Sequence, residues 1–411
     1  MDHTKQVAFD LHDPRIIADP YPTYARMRRE QPLWWNPLAN TWVATSHADV
    51  RTLLHASGAT NHRIEHLLDR LPPSERARTG PLQRLLTPRL VFTEGEAHAR
   101  IKRLVMQTFA PHHIAAYAAV VDACLDQLLD ALPTDRPVDL VERLTNLLPG
   151  NVILTVLGIP LADHLPMKRW TDDVYAWIGH WPTSIVERTD HALAAVAGLE
   201  ARLRGLIDDA RRAPGPGMLS ALVHAQEEGQ LLDTGELVAN VLGLVNAGQE
   251  TTTCLLANGM LRLLQFPEQM ARLRRDPTLL PGAVEEMLRY DAPAQFIART
   301  IESPIELRGV RFSPGTVVSL GLASANRDAE AFAAPDDFDV ARTQNHHLSF
   351  GHGVHFCVGA ALARMEAVAM FTALLRRFPR IELACRWDDL QWRPTTSFRS
   401  PLALPVVLHR A

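Results

Sequence analysis

A mainly α fold with small β sheets is what this sequence predicts, on three observations. Apolar residues recur at helical spacing through most of the chain. The segment from Asp233 to about Gln265 reads as one unusually long helix. Two short stretches, near 33–45 and 304–322, alternate around turn signals as small sheets do. With 411 residues, 47% of them hydrophobic and 21% charged, the chain is globular in composition and can enclose a large ligand.

The elements follow in order. Residues 20–30 read as a first helix with proline near its start. Residues 33–45 place Trp34, Trp35, Trp42 and Val43 around an Asn-Pro turn, which predicts a hairpin. Helical patterns recur near 47–56, 96–108, 114–131, 139–156, 164–178 and 189–212. Between 57 and 95 the chain reads as irregular, with Pro72-Pro73, Pro81 and Pro88. The breaker cluster Arg211 to Gly217 predicts a surface loop within one domain, and no internal repeat interrupts a single domain over 1–411. Near 304–322, Gly309 and Pro314-Gly315 mark turns before a buried strand, Thr316–Leu322.

The long helix opens on Asp233 as N-cap, with Glu236 as the acid three positions on, and Pro267 closes it. Its middle, Ala247-Gly248-Gln249-Glu250-Thr251-Thr252-Thr253, is poor helix material. A glycine, an acid and three threonines inside an apolar helix cost stability, and such conflicts mark function.

Several classes are excluded. A formal net charge of −4 carries no nucleic-acid footprint. The four cysteines, Cys124, Cys254, Cys357 and Cys385, are isolated from one another, which points to a reducing compartment. The polar start, Met1 to Asp10, has neither a signal-peptide core nor a membrane-length apolar run. The expectation is a cytoplasmic protein that binds no membrane.

Residues 350–359 read Phe-Gly-His-Gly-Val-His-Phe-Cys-Val-Gly, followed by a strong helical pattern. Three glycines around one cysteine imply close backbone approach or positive φ. Cys357 then stands at a helix N-terminus, where free amides and the dipole favour a thiolate.

Phe350-Gly-x-Gly-x-His-x-Cys357-x-Gly359 resembles the haem-binding loop of the cytochromes P450, and the resemblance extends over essentially the whole chain. It implies a soluble bacterial-type enzyme in which haem b lies between the long I helix and the cysteine-loop L helix, with Cys357 as the iron ligand. Glu286-Met-Leu-Arg289 resembles the family's E-x-x-R, and Asn326 to Arg342 its meander. By the same resemblance, His98, Lys102, Arg299 and His355 would meet the haem propionates, which need cations or donors when buried. The family usually has arginine where Lys102 stands, so bidentate pairing is lost there.

Ala247-Gly248-Gln249-Glu250-Thr251 resembles the oxygen-activating signature A-G-x-[DE]-T. Glu250 and Thr251 would relay protons, and Gly248 would make room for dioxygen. Gly243, Asn246, Ala247, Gln295 and Thr396 are the expected substrate-pocket residues. The implied reaction is insertion of one oxygen atom from O2 into a small molecule, by hydroxylation or epoxidation, with coupling or nitration also open. A secondary metabolite such as a polyketide or peptide is the expected substrate. Electrons would come from NAD(P)H through a separate reductase and a ferredoxin-type iron–sulfur protein, for which Arg100-Lys102-Arg103 offers a local basic patch. A monomer is expected. A peroxide-dependent peroxygenase and a non-catalytic haem sensor or electron carrier are the alternatives.

Overall fold

Helices start where the sequence supplies a cap. Ser46 accepts a hydrogen bond from the Asp49 amide at 3.2 Å and opens His47–His55. Asp233 accepts from the Glu236 amide at 2.8 Å and opens Thr234–Gln265, a helix of 32 residues. The computed structural model describes residues 9–69, 71–109, 111–179, 184–227 and 233–410. Residues 1–8, most of the polar start, lie outside them.

The chain divides into two compact units. The first comprises Met1–Thr60, Leu125–Leu147 and Thr251–Ala411, the second Asn61–Cys124 and Leu148–Glu250. The first holds the sheets. Its five-stranded sheet runs Leu33–Asn36, Thr41–Ala44, Val317–Gly321, Phe296–Ile301, Ala59–Thr60 in spatial order, antiparallel except where Thr41–Ala44 lies parallel to Val317–Gly321. The expected hairpin is present, with Trp35 opposite Trp42 and their rings 5.6 Å apart edge to face. One face of this sheet buries Val50, Leu53, Ile301, Phe312, Val318 and Leu320.

The second unit is helical. Its long elements are Gly95–Thr108, His164–Ile178 and Ile185–Arg212, together with the N-terminal half of Thr234–Gln265. The breaker cluster joins Ile185–Arg212 to Met218–Glu227 inside this unit. Mainly α with small sheets is therefore the observed class.

Two sequence expectations are corrected. Residues 57–95 are not irregular: Ile64–Asp69, Pro73–Arg78 and Gly80–Leu86 are short helices. Of the prolines that read as breakers, Pro73 and Pro81 occupy first-turn positions of the last two, where the missing N–H costs nothing. Residues 139–156 are not one helix but a strand, Pro137–Asp139, a π-helical turn, Val141–Thr145, and a helix, Leu147–Leu157. Asp139 forces the break, because its Oδ1 accepts from the Leu404 amide at 2.8 Å and the Val141 amide at 2.9 Å. That fixes the strand beside Pro405–His409. Among the described residues no helix is long and apolar enough to cross a membrane.

Candidate active site

The cysteine loop is shaped by its glycines. Gly351 and Gly353 adopt φ of 69° and 73°, the left-handed region that a side chain resists. A β-carbon at Gly353 would also come within 3.1 Å of the Leu54 carbonyl oxygen. The turn lets the Cys357 amide donate to the Phe350 carbonyl at 3.0 Å, and helix Ala360–Arg377 begins three residues later.

Cys357 is solvent-accessible at the mouth of this turn. Burial is the largest influence and raises the thiol pKa. The Gly359 and Ala360 amides, hydrogen-bonded toward the sulfur, and the Arg364 guanidinium pull the other way. The helix terminus therefore supplies the expected donors. This donor set fits an iron–thiolate ligand. An accessible sulfur with two amides directed at it can meet a metal that displaces its proton outright.

Two residues the sequence reading missed fix this helix. Arg364 makes a paired contact with Glu285, Nε to Oε1 and Nη2 to Oε2, both at 2.7 Å. His347 Nε2 lies 3.2 Å from the same carboxylate. Arg364 also stacks 4.4 Å from the Phe350 ring centroid at the start of the loop. Although burial pushes the Glu285 carboxyl up, Arg364 and His347 outweigh it and hold its pKa at about 2.

Glu286 and Arg289 are fully buried and pair bidentately, at 2.7 and 2.8 Å. Arg289 donates onward to the carbonyls of Asn326, Pro335 and Asp337. Glu286 accepts from Arg342, Asn345 and the Asp339 amide. The segment from Asn326 to Arg342 is thus tied to this one ion pair, with every charge satisfied.

On the long helix, Glu250 and Thr251 are each half-buried. Lys168 Nζ stands 3.7 Å from Glu250 Oε2 and 2.9 Å from Asp172 Oδ1. One turn before Lys168, His164 bridges the Gln249 amide, 2.8 Å from Nε2, and Asn151 Oδ1, 3.0 Å from Nδ1. Burial, then Lys168, lowers the His164 pKa, so the neutral ring accepts from Gln249 and donates to Asn151. Helix His164–Ile178 therefore carries two groups, His164 and Lys168, against the acid end of the signature; neither was picked from sequence. A β-carbon at Gly248 would meet Ile153 Cγ1 at 2.8 Å, so the missing side chain also seats helix Leu147–Leu157.

His98 and Lys102 share a face of Gly95–Thr108 at i,i+4, His98 buried and Lys102 partly so. Arg299 is buried on strand Phe296–Ile301, and His355 ends the turn Gly353–His355. Arg100 does not contribute to an open basic patch. It pairs with Glu236 at 2.6 and 2.9 Å, so its charge is already compensated.

Of the expected pocket residues, Ala247 is exposed, Gly243 partly so, and Asn246 buried. Gln295 and Thr396 line one crevice with Tyr24 and Trp392. The Gln295 amide is satisfied there, accepting from Tyr24 Oη at 3.2 Å and donating to the Ala292 carbonyl at 2.6 Å.

A family model described as Cytochrome P450 matches residues 64–384. The chain is 37% identical to the cytochrome P450 monooxygenase PikC of Streptomyces venezuelae, over 95% of this chain and 91% of that protein. It is 35% identical to nocardicin C N-oxygenase of Nocardia uniformis subsp. tsuyamanensis, over 99% of this chain and the whole of that protein. Among solved structures, CalO2 superposes with a TM-score of 0.91 at 31% identity, covering 98% of this chain and all of that one.

Proposed function

We propose a substrate class, residue roles and an electron source for this chain, which belongs to the cytochrome P450 family and is a monooxygenase with haem b as its cofactor. The substrate is a small molecule of secondary metabolism, and the reaction is hydroxylation or epoxidation. A relative named nocardicin C N-oxygenase supports that class. The observation that carries the reading is Cys357, accessible at the start of its helix, with the Gly359 and Ala360 amides directed at its sulfur.

In this reading Cys357 holds the iron as thiolate, and His98, Lys102, Arg299 and His355 hold the propionates. Haem bound there supplies reductive activation of dioxygen and transfer of one oxygen atom to substrate. The chain's own residues supply order. Glu250 would relay protons through its carboxylate, which Lys168 at 3.7 Å keeps in place. The Thr251 hydroxyl, next along the helix, would hold and orient a proton donor beside the haem site. The enzyme works as a monomeric, single-domain cytoplasmic protein. It draws electrons from NAD(P)H through a reductase and a ferredoxin-type partner, whose docking surface does not use Arg100.

The test is turnover of a metabolite panel with NADH, a surrogate ferredoxin and its reductase under isotopically labelled O2. One labelled oxygen atom per product molecule is expected. Turnover with hydrogen peroxide alone, or none with either oxidant, would contradict the reading.

A further inference from the structure

Arg89 is a buried cation without a counter-charge among the described residues. The residue is 1% exposed, and neither Nε nor Nη2 has a hydrogen-bond partner. Its remaining nitrogen, Nη1, donates to Tyr175 Oη at 3.4 Å, and the guanidinium stands 5.7 Å from the Tyr175 ring centroid. Arg63, partly buried, lies near the same phenol. Burial lowers the pKa of both guanidinium groups, and on each the opposing influence comes from Tyr175. Among the described residues neither forms an ion pair. Arginine stays charged in proteins, so an uncompensated guanidinium in this position is expensive.

The backbone holds Arg89 in place. Asn240 on the long helix accepts from the Leu90 amide at 2.8 Å and donates to the Pro88 carbonyl at 2.9 Å, bracketing the residue. The aliphatic stem lies against Gly243, where a β-carbon would sit 3.8 Å from Arg89 Cδ. The pair left unsatisfied, Nε–H and Nη2–H, is one edge of the fork, the edge that matches two carboxylate oxygens.

We propose that Arg89, assisted by Arg63, is the carboxylate-binding subsite of the substrate pocket, so that the natural substrate is an organic acid. This rests on the monooxygenase reading above and narrows it. Gly243 and Glu250 are seven residues apart on one helix, which sets the carboxylate on the order of 10 Å from the level of the relay acid. The oxidised carbon lies at that reach from the acid group.

The experiment uses the haem-loaded enzyme with benzoate and 4-phenylbutyrate, each against its neutral amide, read by calorimetry and by thermal unfolding. In the wild type the carboxylates should bind roughly tenfold or more tightly than the amides and raise Tm through linkage. Arg89→Gln should erase that preference, and Arg89→Lys, which keeps charge but loses the fork, should weaken it. Arg89→Met should raise the ligand-free Tm, because it removes an unpaired buried cation. No preference for carboxylate in the wild type, or an equal preference in Arg89→Gln, would overturn the proposal. So would a lower ligand-free Tm in Arg89→Met together with no effect of Arg89→Lys. Carboxylate preference in a protein lacking the carbon monoxide signature of thiolate ligation would count against the monooxygenase reading and leave the anion site standing.

Discussion

In the proposed reading Glu250 relays the proton and Thr251 orders its delivery. Glu250 stands against Lys168, while Thr251 carries only a hydroxyl. Their substitutions should therefore fail differently. Thr251→Ala should keep haem and substrate binding but divert NADH electrons into hydrogen peroxide. Glu250→Gln should slow turnover itself, by roughly 10²–10⁴-fold. Product formation, peroxide release and NADH oxidation measured together separate the two. Unchanged rate and coupling in both variants would show that protons arrive elsewhere. Residues of this kind were legible because the motif places them: an acid and a threonine in a conflicted helix centre point to chemistry. Arg89, His164 and Lys168 carried no such mark. Their meaning comes from burial and from partners distant in sequence, Tyr175 for Arg89 and Gln249 and Glu250 for the other two.

At the scale of elements, helix Leu280–Tyr290 organises its surroundings through two adjacent acids that point to different partners. Glu286 takes Arg289 and the segment from Asn326 to Arg342, while Glu285 takes Arg364 on the helix that follows the cysteine. The first was readable, since its partner lies three residues away on the same helix. The second was not, because Arg364 is 79 residues distant. The Glu285 contact has a pH signature. Its folded pKa of about 2 is depressed from an ordinary 4.5, so the stability it contributes is present above about 4.5 and lost as pH falls toward about 2. Haem retention and Tm of the wild type should fall through that window more steeply than those of Glu285→Gln, which lacks the titrating group. Arg364→Leu should lower Tm at neutral pH and release haem more readily, by removing one partner of a partly buried pair. Parallel pH profiles for wild type and Glu285→Gln would show that the pair does not anchor the post-cysteine helix.

Across the whole molecule, the mainly helical class and the long helix follow from apolar periodicity, and their bounds shift by a residue or so. The division into two units was not legible, because each is assembled from separated stretches of chain and nothing local in Asn61 or Thr251 marks a boundary. The 57–95 helices were missed for a local reason: a proline that ends one helix also starts another. The buried ion network around Asp291 escaped altogether. Asp291 accepts from Tyr21, Arg262 and Arg399, three residues scattered from near the start of the chain to near its end. Burial alone would raise its carboxyl, but the two guanidinium groups and the Tyr21 hydroxyl hold its pKa at about 2.

The monooxygenase reading depends on one ligand bond, that of Cys357. The direct measurement is the absorption spectrum of the reduced protein under carbon monoxide, taken for the wild type, Cys357→His, and alanine variants of Cys124, Cys254 and Cys385. Thiolate ligation by Cys357 predicts a red-shifted Soret band in the wild type and in the three alanine variants, and its loss in Cys357→His alone. A red-shifted band that survives Cys357→His, or that disappears when one of the other cysteines is replaced in a folded haem protein, would contradict the assignment.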